Sequence, residues 1–134
     1  MKIKLDYQTN SSSASFVVYV SSPSTDIEHF KIGLKKLMDD FIRDEVPYYL
    51  VGYGRPQEDQ DIQERKDWYT KHLEQLLDSV SQITPNTYMF SDWTSMLNSV
   101  LMDTPAFIKF LVLEYAVNGL HEYGINTVTV KVED

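Results

Sequence analysis

Five short polar side chains stand close together near the amino end: Asn10, Ser11, Ser12, Ser13 and Ser15. Hydroxyl and carboxamide groups at this density, combined with the backbone N–H groups of a turn, can line a small concavity that accepts a phosphate or carboxylate. These residues are therefore the expected ligand-binding set. The competing expectation is an ordinary solvated loop, because Asn and Ser bond to their own backbone and favour turns over regular structure. No other stretch has the spacing of a reactive centre. His29, His72 and His121 are scattered without ligand spacing, and His121 and Glu122 are adjacent rather than three or four apart, so no metal or cofactor is expected. A serine nucleophile needs a positioned base and oxyanion donors, and the chain lacks a Gly-x-Ser-x-Gly elbow, a phosphate loop and a dinucleotide fingerprint.

The elements that must present this polar run are strands. Lys2 to Tyr7 alternates polar and apolar with period two, whereas Phe16-Val17-Val18-Tyr19-Val20 is continuously apolar, as in a strand covered on both sides. The two are expected to pair antiparallel, with Asn10 to Ser13 as the hairpin turn. Ser21-Ser22-Pro23-Ser24 then breaks the strand, and Thr25-Asp26-Ile27-Glu28 has the spacing of a capping box with Thr25 as the cap. Ile27, Phe30, Leu34, Leu37, Met38 and Phe41 form one apolar helix face, and Pro47 stops that helix near Asp44 or Glu45. Tyr48 to Val51 reads as a further strand. A second helix is expected from about Glu58 to Val80, with Ile62, Tyr69, Leu73, Leu76, Val80 and Ile83 on its apolar stripe.

Beyond the turn Thr84-Pro85-Asn86-Thr87, the segment Tyr88-Met89-Phe90 is too short to assign. Ser91 or Asp92 is expected to cap a short helix with Trp93, Met96, Leu97, Val100 and Leu101 on its face. Thr104 and Pro105 then open a nearly charge-free helix, Ala106 to Tyr123, expected to be the central core helix or half of a dimer interface, with Gly124 as its left-handed cap. Ile125 to Val132 is a final strand. The fold class expected is α+β: a mixed, mostly antiparallel sheet of about four strands covered by about four helices.

At 134 residues the chain is read as a single domain, and 43% hydrophobic content is enough to offset the entropy of ordering it. The absence of cysteine excludes disulfides and fits a cytoplasmic protein, while no segment reads as a membrane span or an export signal. A formal charge of −8 disfavours direct nucleic-acid binding and instead suits a basic protein surface. The second helix supplies a suitable face. Glu64, Asp67, Glu74 and Asp78 form an acidic row interrupted by Lys71, and Trp68 falls about 120° from the centre of the apolar stripe, either packed by a neighbour or free to anchor a partner. A solvated helix face is the plainer expectation for such a row.

Asn10-Ser11-Ser12-Ser13-Ala14-Ser15-Phe16, behind a Met-Lys-Ile strand, resembles the amino-terminal Asn-Ser-Ser-Ser-x-Ser-Phe signature of small uncharacterised phage and prokaryotic proteins. The resemblance covers roughly the first twenty residues. It implies a phage or mobile-element origin and, with the acidic surface, an accessory protein that binds and modulates a host protein without catalysis. A small-molecule binding protein using the serine-rich turn is the alternative. A serine-rich strand opening with a later glutamate also resembles ADP-ribosyltransferases, yet the chain has neither their Glu-x-Glu pair nor an arginine or histidine ahead of the serines.

Overall fold

The computed structural model describes residues 13–46, 59–95 and 104–133. Their order is β1 (Ser13–Ser21), α1 (Ile27–Asp44), α2 (Asp59–Asp78), β2 (Ser81–Thr84), β3 (Thr87–Ser95), α3 (Ala106–Val117), a 3-10 turn (His121–Tyr123) and β4 (Thr127–Glu133). The four strands form one antiparallel sheet in the order β2-β3-β1-β4. The class is α+β, with three α-helices among the described residues. The expected strands Lys2 to Tyr7 and Tyr48 to Val51 lie outside them.

β1 is central because its Val and aromatic side chains suit a pleated position flanked on both edges. Strand alternation turns Phe16, Val18 and Val20 inward, and the register lines them up with matching positions on both neighbours. Val20 sits between Tyr88 and Val128, Val18 between Phe90 and Val130, and Phe16 between Asp92 and Val132. Because β3 and β4 pair with β1 throughout Phe16–Val20, both edges of that segment are occupied. The expected pairing of Lys2 to Tyr7 with it is thereby overturned, and Ser13 belongs to the strand rather than to a hairpin turn.

The helices close one core against this face. Phe30, Leu34, Leu37, Met38 and Phe41 of α1, Leu73 and Leu76 of α2, and Phe107, Ile108, Phe110 and Leu111 of α3 all join the inward strand residues. Phe41 is the junction, since its ring meets Tyr69 of α2 at 5.3 Å and Phe107 and Phe110 of α3 at 5.5 and 5.3 Å.

Several boundaries differ from expectation. Asp26, not Thr25, caps α1, accepting a hydrogen bond from the Glu28 N–H at 3.0 Å, because a carboxylate is the better partner for the first-turn donors and the helix dipole. The expected helix after Ser91 begins as strand: β3 runs to Ser95, and its long pairing with β1 overrides the capping tendency of Ser and Asp. Met96 to Leu101 lie outside the described residues. Ile83 is in β2 and half exposed, not on the helix stripe. Pro105 rather than Thr104 occupies the cap position of α3. That helix ends at Val117, where Gly119 adopts φ 72°, and Gly124 at φ 71° closes the 3-10 turn instead.

The loop from β1 to α1 is pinned by the β2–β3 hairpin. Asn86 Nδ2 donates to the Ser22 carbonyl at 2.9 Å, Gln82 Nε2 to that of Thr25 at 2.8 Å, and the Tyr88 hydroxyl to that of Ser24 at 2.8 Å. Tyr88 is fully buried and stacked on Phe30 at 3.9 Å. Burial and the charge of Asp26 push its phenol pKa up, and burial together with a 2.6 Å hydrogen bond to Asp40 does the same for Tyr123. A raised folded-state pKa favours the neutral phenol, so this stabilisation is complete below pH ~10 and drains away as pH climbs past it. Chemical denaturation in alkaline buffers should show stability falling above that point, with Tyr123→Phe flattening the fall. An equal slope in the variant would contradict the assignment to Tyr123.

Candidate protein-binding site

α2 is amphipathic. Leu73 and Leu76 are buried, while Glu64, Asp67, Glu74 and Asp78 are exposed, as the charge row predicts. At 100° per residue Trp68 lies beyond the edge of the buried stripe, and His72, one turn later, lies between it and the core. The two rings stack, with centroids 5.0 Å apart and planes 10° apart. Trp68 also meets Tyr69 edge-on at 4.8 Å. Despite these contacts Trp68 remains 53% exposed.

What holds the stack in place comes from the sheet. The inward positions of β3 read Tyr88, Phe90 and Asp92, so a carboxylate occupies the next site in an otherwise apolar row, across from Phe16. A buried charge is costly unless paired and hydrogen-bonded. His72 meets that need, its Nε2 lying 2.9 and 3.1 Å from the two oxygens of Asp92, which is 6% exposed. With Asp92 ionised the carboxylate can only accept, so Nε2 is the donor. The ring is thus oriented from below by a fixed carboxylate and presents a flat face to Trp68. The trio is not legible in the sequence: His72 and Asp92 are twenty residues apart, and Asp92 has the local character of a helix cap. Period-two alternation on β3 was the signal that pointed it inward.

The acidic residues do not make one patch with Trp68. Asp67 accepts a hydrogen bond from Gln63 Nε2 at 2.9 Å. Glu74 lines a small cleft between α1 and α2 with Lys35, Asp39 and Ile42. At 100° per residue Asp67 and Glu74 fall about 20° apart, and Asp78 and Glu64 lie on the solvent side between them and the angular position of Trp68. The arrangement is an aromatic anchor at one margin of an acidic face.

The polar run at the amino end is only partly in view. Asn10, Ser11 and Ser12 lie outside the described residues. Ser13 opens β1, and Ser15 is exposed on the outward face, paired across the sheet with Trp93 and Glu133. A carboxylate directly opposite a serine opposes anion binding there. The N-terminus of α1 is too far from Ser15 to add donors there. That helix follows the far end of β1, and Ser15 to Ser21 spans ~20 Å at strand rise. A separate groove of about 670 Å³ runs along the start of α1, lined by Ser24, Asp26, His29, Lys36, Glu122 and Tyr123 among others. Its charges are mixed, and the Asp26 carboxylate already occupies the helix end.

Among the described residues no helix is long and apolar enough to cross a membrane, and no cluster of three metal-ligating side chains occurs. Comparison with protein-family models, curated proteins and solved structures finds no significant match.

Proposed function

We propose that this chain is a small acidic accessory protein, of phage or mobile-element type and acting in the host cytoplasm, that binds a basic surface on a host protein and modulates it without catalysis. The observation that carries the reading is Trp68: a large aromatic side chain, half exposed, stacked on a histidine that is itself hydrogen-bonded to a buried carboxylate. Tryptophan anchors of this kind dominate interface energetics, and a side chain ordered before binding loses less entropy on docking. Glu64 and Asp67, within one helix turn of Trp68, would place negative potential along one side of it that steers a basic partner, in keeping with the net charge of −8. Glu74 and Asp78, farther along the helix, would act at longer range.

The test is affinity capture from host lysate at low and moderate salt, followed by titration of the partner identified. Trp68→Ala should weaken the purified complex by ~30-fold or more, the effect of losing an interface hot spot. Reversal of Asp67 and Asp78 to lysine should chiefly slow association and reduce its salt dependence. The second reading, a phosphate-bearing ligand held by Asn10, Ser11, Ser12, Ser13 and Ser15, rests on residue type. It predicts a higher melting temperature with nucleotides or inorganic phosphate.

A further inference from the structure

Three of the six strongly exposed large apolar side chains among the described residues fall on α3: Val112, Leu113 and Val117. Its other side, with Phe107, Ile108, Phe110 and Leu111, is already buried in the core. Leu113 and Val117 are one turn apart, Ala116 lies beside them, and exposed Lys109 continues the stripe one turn earlier. Leu113 is 62% and Val117 74% exposed, values at odds with a purely solvated helix.

The charges on α3 point to what covers this face. Lys109 sits near the positive N-terminal pole of its own helix, while the last turn has no basic residue and Glu114 lies near the negative pole. Both charges are misplaced for their own dipole. They are well placed for a second helix of the same sequence running antiparallel. In such a pair, centred on Leu113, Lys109 falls opposite Val117 of the other copy, beside its terminal carbonyls and Glu114. Glu114 is held there by Asn118 Nδ2 at 3.0 Å. The stripe itself bears no carboxylate, so two copies of a chain with net charge −8 can meet on it without opposing like charges.

We infer that the outer face of α3 is a self-association surface, in which two copies pair their α3 helices antiparallel about a two-fold axis through Leu113. A single helix pair buries less area than a standard stable interface, so the dimer is of the weak, reversible kind. This surface is distinct from Trp68 and stands apart from the proposed host partner.

Sedimentation equilibrium of the full chain across the micromolar range tests it. The wild type should show a monomer–dimer equilibrium. Leu113→Asp and Val117→Asp, at exposed positions, should each weaken it at least ~tenfold with unchanged circular dichroism. Lys109→Glu should weaken it, and adding Glu114→Lys should restore it. A wild type monomeric at every concentration, as when another part of the chain covers α3, would overturn the inference. So would a dimer unaffected by both aspartate variants, or one that the charge exchange fails to restore.

Discussion

Gly33→Ala is expected to destabilise the fold by about 3 kcal/mol, against the sign that helix propensity alone would give. Gly33 lies inside α1, where alanine would ordinarily gain about 1 kcal/mol. Here the 3-10 turn packs so closely that a Cβ at residue 33 would overlap the Tyr123 carbonyl oxygen and sit 3.0 Å from its carbon. The obstruction is backbone, and it has little room to give way. Tyr123 N–H donates to Leu120 O at 3.0 Å, its hydroxyl is bonded to Asp40, and Ile125 is fully buried just beyond. Either α1 or the turn must move, and both carry core residues. For a chain of this length the loss corresponds to a fall in Tm of ~10 °C. A thermal or urea midpoint at or above wild type would show that the two backbones are not in this contact.

Phe41→Ala is expected to cost more, about 4 kcal/mol, through lost burial and the cavity left behind. Phe41 is fully buried, and its ring is the shared contact of α1 with Tyr69 on α2 and with Phe107 and Phe110 on α3. No single neighbour can collapse into the space without drawing away from another. Because Tyr69 in turn packs against Trp68, the loss extends to the proposed anchor. In a Trp93→Phe background, Phe41→Ala should lower the steady-state anisotropy of Trp68 even where the protein remains folded. Unchanged anisotropy and a stability loss under about 1 kcal/mol would contradict this account of the core.

The periodic segments were legible from residue order alone. The apolar spacing from Ile27 to Phe41 and from Ile62 to Leu76 is strong enough to define α1 and α2, and the valines of β4 to define a strand. Errors gathered where local preference and long-range pairing disagree. Ser91 and Asp92 favour helix caps locally, yet nine consecutive register partners on β1 draw Thr87–Ser95 into the sheet. The partner of Phe16–Val20 is hidden for the same reason, since strand pairing leaves no trace in the sequence of one strand. The exposure of the acidic row on α2 is legible in the sequence, but the support under Trp68 is not. It depends on Asp92 facing inward, and that follows only once β3 is known to be a strand.

The central claim is that Trp68, fixed by His72 and Asp92, is the contact on which recognition of a basic protein depends. Isothermal titration of one identified host partner against wild type, Trp68→Ala and the outward-facing control Thr129→Ala measures this most directly. The account predicts that the control binds as wild type does, while loss of the indole lowers affinity by ~30-fold or more with the fold intact. Equal affinities for all three proteins would contradict it.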